Sequence, residues 1–342
     1  VETKLVSVDN FLDNKMNYEQ AVDILKNGGV VAFPTETVYG LGALATDELA
    51  VQRIFEAKGR PSDNPLIVHI GNKEQVSDYA EAITEDADKL MDACWPGPLT
   101  LVFHKKPGVI ASNVTPGFET VGIRMPDHPV ALALLRALGQ PLAAPSANRS
   151  GKPSPTEAAH VYKDLEGLIP LILDGGQTGV GVESTVLDMT TNPPTILRPG
   201  GTTQETIESI IGKIHSENEF PGEQAPRSPG MKYLHYAPEA PLFIIQNDAQ
   251  HIGIALDSLH AEGRKVALIA PDEFGDLGAD WYFSTGPAHN NEATATNLYA
   301  AIRKCDATEA DIILAVETDL AGVGAAVMNR LMKAAEGKRY MN

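Results

Sequence analysis

Val30-Val31-Ala32-Phe33-Pro34-Thr35-Glu36-Thr37-Val38-Tyr39-Gly40-Leu41-Gly42-Ala43-Leu44-Ala45 decides the reading of the first half of the chain. Val30–Phe33 and Val38–Ala45 are apolar runs rich in small and β-branched residues, and they read as strands around a polar Pro-Thr-Glu-Thr segment. Before them, Tyr18–Lys26 has helical periodicity and stops at Gly28-Gly29. After them, Asp47 has the residue type and position of a helix cap. The apolar residues Leu49, Val51, Ile54 and Phe55 mostly share one face, and Gly59 and Pro61 end the helix. The same criteria predict strands at Leu66–Ile70, Leu99–Phe103, Val121–Arg124, Leu142–Ala144, Leu171–Leu173, Thr185–Leu187 and Thr195–Leu197. Pro129–Leu138 and Pro155–Leu165 read as helices between them. Residues 1–212 are therefore expected to form an α/β domain around a large, mixed, twisted sheet.

Residues 213–240 change character, with Pro221, Pro226, Pro229 and Pro238 set among Gly, Glu and Ser. This composition predicts an extended linker. Met231, Tyr233, Leu234, His235 and Tyr236 give it more apolar and aromatic content than a mere spacer, so it is expected to pack on something. From 241 to 342 the strand-like runs Leu242–Ile245, Val266–Ala270, Trp281–Ser284 and Ile312–Val316 alternate with helical segments near Ile252–His260, Ala293–Arg303 and Ala325–Ala335. That pattern predicts a smaller Rossmann-like α/β domain.

At 342 residues the chain is long enough for two such cores. The longest apolar run, Val130–Leu135, is far short of the ~18 residues of a membrane span. Mixed polar sequence follows the N-terminus in place of a signal-peptide core. Two distant cysteines, Cys94 and Cys305, imply no disulfide framework and a cytoplasmic location. The formal net charge is −18, and residues 241–342 carry 8 Lys and Arg against 14 Asp and Glu. So acidic a chain has no broad face for a polyanion, and any cationic site must be a local pocket suited to a small anion such as a nucleotide.

The common phosphate-binding and metal motifs are missing. Ser150-Gly151-Lys152-Pro153-Ser154 is the nearest string to a P-loop, and it carries proline where the cradle needs amides. Gly179-Val180-Gly181 does not extend to a dinucleotide fingerprint, and the histidines and cysteines have no zinc spacing. What stands out is a series of hydroxyl, amide or cationic residues beside Gly or Pro. Its members are Pro34–Gly42, Lys58-Gly59-Arg60-Pro61, Asn64–Ile70, Trp95-Pro96-Gly97-Pro98-Leu99-Thr100, Thr120–Pro126, Ala144–Gly151, Glu183–Val186 and Leu197-Arg198-Pro199-Gly200. Such residues at strand ends are expected to bind a ligand there. Lys58, Arg60 and Arg198 would neutralise phosphate charge, while Ser146, Asn148, Ser154 and Thr120 would bond phosphate or sugar oxygens. No carboxylate cage for Mg²⁺ is visible, which leaves such an ion to the phosphates.

These segments, in this order over residues 15–212, resemble the YrdC-like catalytic domain of the threonylcarbamoyl-AMP synthases. The Lys58/Arg60 pair followed by the Ser146/Asn148 pair is the signature, and the Ser228–Tyr236 linker and second domain resemble the two-domain members. The resemblance implies a nucleotidyltransferase that joins L-threonine, bicarbonate and ATP into threonylcarbamoyladenylate and pyrophosphate. That product serves threonylcarbamoyladenosine formation in tRNAs reading ANN codons. It implies catalytic roles for Lys58 and Arg60. It puts L-threonine on Thr37, His69, Arg124, Ala144 and Ser184. It puts the nucleotide on Lys58, Arg60, Asn64, Thr120, Ser146, Asn148, Ser154, Arg198 and Tyr236, with Mg²⁺ held by phosphates and no metal site of the protein's own. Tyr236, with His235, would fold back over the nucleotide. The expected partner is the downstream threonylcarbamoyl transferase machinery, with neither a membrane nor stable tRNA binding.

Plainer readings stand beside these. Lys58 in a helix's last turn ordinarily complements the helix dipole. His69 in an apolar strand is ordinarily a core histidine, Ser154 before Pro155 a helix cap, and Tyr236 an anchor of the linker. Two other functions use related chemistry. Hydrogenase-maturation carbamoyltransferases contain a similar domain but need zinc-binding cysteine pairs. An RNA-binding regulatory module of the same fold needs a basic, aromatic surface that this composition does not supply.

Overall fold

The structure, a computed structural model, describes residues 1–7, 15–216 and 236–341. They fall into two compact units, Val1–Ser150 with Pro155–Gly179 and Glu183–Lys232, and Tyr233–Asn342 with Gly151–Ser154 and Val180–Val182. The two short segments assigned to the second unit are not anticipated by any continuous division of the chain. Among the described residues no helix is long and apolar enough to cross a membrane.

In the first unit the elements run β1 (Lys4–Ser7), α1 (Lys15–Lys26), β2 (Val31–Phe33), β3 (Gly40–Leu44), α2 (Glu48–Lys58), β4 (Val68–His69), α3 (Val76–Tyr79), β5 (Ala80–Glu81) and α4 (Glu85–Cys94). They continue with β6 (Leu99–Lys105), β7 (Thr120–Arg124), α5 (Pro129–Leu138), β8 (Leu142–Ala143), α6 (Ala158–Leu165), β9 (Leu171–Asp174), β10 (Thr185–Asp188), β11 (Thr195–Arg198), α7 (Gln204–Ile211) and β12 (His215–Ser216). All the strands join one sheet in the order β1-β9-β2-β3-β8-β4-β7-β6-β10-β11-β12, with β5 on β6. The sheet is mixed, as expected. For example β2–β3, β3–β8, β6–β7 and β10–β11 are antiparallel, whereas β4–β7 and β6–β10 are parallel.

The helix signals act as read. The Asp47 carboxylate accepts from the Leu49 and Ala50 amides at 2.9 and 3.0 Å, and Gly59 ends α2 in the left-handed region at φ 62°. Other bounds differ. Leu66–Ile70 is extended only at Val68–His69, because the Leu66 amide bonds the Val114 carbonyl of a turn, not a strand. The helix expected from Pro155 begins at Ala158, since the Pro155 carbonyl accepts from the Tyr39 amide. With Glu157 in the cap position, Ser154 is not the helix cap.

The two faces of the sheet are covered differently, and that difference creates the site. One face carries Leu99, Leu101, Phe103, Val121, Ile123 and Leu187 into a core shared with Val51, Ile54 and Phe55 of α2 and Leu90 and Met91 of α4. On the other face α1 and α5 cover Val31, Phe33, Leu142 and Leu171. Beyond them that face carries a small cluster of four buried apolar residues, Ile67, Val102, Val186 and Leu197.

The second unit contains β13 (Leu242–Ile245), α8 (Ala249–Ala261), β14 (Val266–Ala270), β15 (Trp281–Ser284), α9 (Asn291–Cys305), β16 (Ile312–Val316) and α10 (Gly324–Ala334). Its four strands are parallel in the order β13-β16-β14-β15. β14 and β16 are buried along their whole length, as the continuous apolar runs Val266–Ala270 and Ile312–Val316 require.

Candidate active site

Side chains alternate across a strand, so Thr120, Gly122 and Arg124 of β7 share a face, opposite Val121 and Ile123 of the core. Register carries that face onto the neighbouring strands, to Thr100 and Val102 of β6, Val186 of β10, and Ile67 and His69 at β4. A small cavity of about 20 Å³ lies over it, lined by Thr100, Val102, Thr120, Gly122 and Val186 among others. The candidate residues mark element ends, as expected: His69, Arg124 and Arg198 close their strands, Thr120 opens β7, Ser184 and Ala144 flank β10 and β8, and Lys58 closes α2. Gly122 lets the Thr100 side chain pack closely over β7, because a Cβ there would stand 3.1 Å from Thr100 Cγ2.

Arg198 reaches this face through an irregularity of the ladder. Val186 pairs with Arg198 and Leu187 with Ile196, so one step on β10 spans two on β11. The bulge re-aims the strand. Without it, Arg198 would share the core-facing parity of Ile196. Instead its Nε and Nη2 both donate to the Ser184 carbonyl, at 3.2 and 2.9 Å, and Nη2 donates to Ser184 Oγ at 3.2 Å. Ser184 Oγ also lies 2.8 Å from Thr100 Oγ1. Gly200 permits this corner, since a Cβ there would fall 2.3 Å from both the Ser184 carbonyl carbon and the Thr185 nitrogen.

Arg124 is buried, and each nitrogen has a partner. Nε donates to the Gly97 carbonyl at 3.3 Å, Nη1 donates to Thr37 Oγ1 at 3.0 Å, and Nη2 lies 2.5 Å from Glu36 Oε1. The direction of the next bonds follows. Thr35 Oγ1 donates to the Val38 carbonyl at 2.6 Å, so in its 2.9 Å contact with Thr37 Oγ1 it accepts. Thr37 therefore takes a proton contact from Arg124 and passes its own to Thr35. The Pro-Thr-Glu-Thr segment is bound to β7 by its side chains.

Lys58 is nearly inaccessible at 2% exposure. Its Nζ donates to the Ser146 carbonyl at 2.5 Å and the Asn148 carbonyl at 2.6 Å, with Asn148 Oδ1 at 3.4 Å. Ser146 Oγ donates to Asn148 Oδ1 at 2.6 Å. The two motifs that stand out in the sequence are thereby one structure, which a cation merely complementing its own helix end would not form. Gly40 bridges to Ser146 and the Ala147 amide donates to the Tyr39 carbonyl, so the loop is also tied to the segment holding Thr37. Arg60 Nη2 donates to the Pro65 carbonyl at 3.2 Å, and Asn64 is buried beside it in sequence with Nδ2 lacking a hydrogen-bond partner among the described residues. Thr120 is half-buried at the rim of the cavity. Ala144 is buried, and its amide donates to the Ile67 carbonyl at 3.0 Å.

His69 is buried, with Nδ1 donating to the Ile67 carbonyl at 3.1 Å. Burial first, and the Arg124 guanidinium second, push its pKa down to about 3. A ring that takes no proton until about pH 3 is a neutral hydrogen-bonding group at pH 7 and a poor general base. Because the folded value lies below the unfolded one, this group's stabilising contribution is complete above the ordinary histidine range near 6.5 and is lost as pH falls toward 3. Thermal melts of the native chain and of His69→Gln should therefore diverge in slope between pH 6.5 and 3, the native chain losing stability more steeply. Parallel curves would refute the assignment.

Ser154 and Tyr236 belong to the second compact unit. Tyr236 is buried there at a φ of 66°, its ring 5.3 Å from that of Tyr299 and 6.0 Å from the Arg330 guanidinium carbon. The neighbouring Pro153 carbonyl accepts from Arg303 Nη2 at 2.5 Å. His235 and residues 217–234, where the linker was expected to fold over the nucleotide, lie outside the described residues. Among the described residues no group of three or more His, Cys, Asp or Glu side chains converges on a metal position.

Several participants lie in the segments singled out in the sequence but carry no role of their own there. Thr100 and Gly122 share the parity of Val102 and Arg124, so strict alternation would have found them. Tyr39 accepts from the Gly175 amide at 3.0 Å and donates to the Gly176 carbonyl at 2.8 Å, and burial pushes its phenol well above the ordinary range. Glu36 gave no signal of its own, since it sits in a segment that reads as polar.

Two family models cover the chain. The one described as "Telomere recombination", the Sua5/YciO/YrdC family, matches residues 23–200. The other, "Threonylcarbamoyl-AMP synthase, C-terminal domain", matches residues 202–336. The threonylcarbamoyl-AMP synthase of Bacillus subtilis strain 168 is 50% identical over 332 residues, 96% of each chain. That of Pyrococcus abyssi is 48% identical over 320 residues, 92% of each. The crystal structure of P. abyssi Sua5 complexed with L-threonine superposes with a TM-score of 0.92 at 44% identity, covering both chains completely. E. coli YciO, at 28% identity and a TM-score of 0.52, covers 58% of this chain and 95% of its own. Coverage of both domains by sequence and by fold makes this chain a member of the two-domain threonylcarbamoyl-AMP synthase family, enzymes that form an adenylate for tRNA threonylcarbamoyl modification.

Proposed function

We propose that the chain condenses L-threonine, bicarbonate and ATP into L-threonylcarbamoyladenylate and pyrophosphate. This intermediate would supply threonylcarbamoyladenosine formation in tRNAs reading ANN codons, through a downstream threonylcarbamoyl transferase. The observation that carries the reading is that a buried guanidinium, Arg124, stands two strands from the Ser184/Arg198 corner of the same sheet. The P. abyssi relative, whose crystal structure is described as complexed with L-threonine, supports the amino acid as one ligand.

In this reading Arg124 takes the threonine carboxylate, with Thr37, His69, Ser184 and the Ala144 backbone around it. Lys58, Arg60 and Arg198 supply positive charge to the triphosphate, while Thr120, Asn64, Ser146 and Asn148 bond its phosphate or sugar oxygens. Magnesium, arriving as part of the nucleotide substrate, would be held by phosphate oxygens. The unprotonated threonine amine attacks bicarbonate, forming the C–N bond with loss of water, and an oxygen of the resulting carbamate attacks the α-phosphorus, forming the new P–O bond as the bond to pyrophosphate breaks. Positioning and charge stabilisation do the catalytic work without a covalent enzyme intermediate.

Pyrophosphate release measured with ATP, threonine and bicarbonate, each omitted in turn, tests the proposal. Release is expected only with all three present. Release that persists without threonine would contradict it.

A further inference from the structure

Glu36 has no task in the scheme above. Its side chain is only 12% exposed, and Oε1 lies 2.5 Å from Arg124 Nη2. Oε1 is taken up by the guanidinium, and among the described residues Oε2 accepts no hydrogen bond. A buried carboxylate is ordinarily satisfied by several donors. This one keeps the acceptor capacity of Oε2 unused beside a residue assigned to a substrate. The other partners of the guanidinium, the Gly97 carbonyl and the Thr37 hydroxyl, are neutral. Burial pulls His128, a titratable group close enough to feel Glu36, toward its uncharged form. Glu36 and Arg124 therefore make a buried pair of zero net charge.

Adding a substrate carboxylate to Arg124 places two carboxylates against one guanidinium in a water-poor site. A ligand that brings its own positive charge restores neutrality, whereas a ligand with the carboxylate alone does not. We propose that Glu36 is a specificity-determining residue, whose carboxylate receives the α-ammonium of the amino-acid substrate while Arg124 receives its carboxylate. The inference rests on the threonine reading and deepens it. The pair reads both ends of a zwitterion, and it discriminates against the 2-hydroxy acid of the same shape.

The test is equilibrium binding of L-threonine and of 2,3-dihydroxybutanoate, its deaminated hydroxyl analogue, to the full chain and to Glu36→Gln. ATP affinity is measured on both as the check on folding. The unmodified chain is expected to prefer threonine by about tenfold or more, the worth of one charge-assisted hydrogen bond. In Glu36→Gln the preference should fall to near one through loss of threonine affinity, with ATP affinity unchanged. An unmodified chain that binds both acids equally, or a Gln variant that still prefers threonine tenfold, overturns the inference while leaving the threonine site standing. An unmodified chain that binds neither overturns the threonine reading as well.

Discussion

Arg124→Ala is expected to lower unfolding stability by about 3–5 kcal/mol and to abolish measurable threonine binding. The stability loss follows from what remains behind. Glu36 is 12% exposed and has no hydrogen-bond donor among the described residues to replace the guanidinium, so its charge is left uncompensated in a buried site. The Thr37 hydroxyl and the Gly97 carbonyl lose their donor at the same time. Denaturant unfolding of Arg124→Ala and of Arg124→Ala with Glu36→Gln separates these terms. The double replacement should recover part of the loss, because the orphaned charge is gone. A single variant within about 1 kcal/mol of the native chain would show that the pair is solvated and that the site is not as described.

Lys58→Ala should reduce pyrophosphate release by about 10²–10³, the range for removing one preorganised charged donor. Here the ammonium has two functions. It is proposed to face the triphosphate, and it holds the Ser146 and Asn148 carbonyls at 2.5 and 2.6 Å. Arginine is not expected to restore activity, because its planar fork cannot reproduce three donors converging from a point charge at 2% exposure. Nucleotide affinity and turnover measured together distinguish the effects. Loss of the loop weakens ATP binding, and loss of the charge lowers turnover at saturation. Activity within tenfold of the native chain would remove Lys58 from the catalytic machinery.

Much of this arrangement can be read in the residues. Asp47 and Gly59 delimit the helix that delivers Lys58, and the alternation of Thr120, Gly122 and Arg124 against Val121 and Ile123 separates the face of Arg124 from the core face. The mixed sheet and the small parallel domain follow from the spacing of apolar runs. Three features do not. The bulge that turns Arg198 onto the face of Arg124 depends on how β11 meets β10, which leaves no local signal in Thr195–Arg198. Lys4–Ser7 becomes a strand by pairing with Leu171–Asp174, far away in the chain. Helix α4, Glu85-Asp86-Ala87-Asp88-Lys89-Leu90-Met91, buries only Ala87, Leu90 and Met91, a stripe too narrow to stand out from its acidic residues. Glu36 was hidden for a related reason, since its partner lies 88 positions away and a carboxylate in a turn ordinarily faces water.

A crystal structure of the full chain with L-threonine and a non-hydrolysable ATP analogue tests most directly whether the Arg124 face of the large sheet is where the reaction occurs. The triphosphate is predicted against Lys58, Arg60 and Arg198, with the threonine carboxylate on Arg124. A nucleotide bound on the helix-covered face, or wholly within the parallel-stranded unit, would contradict the account.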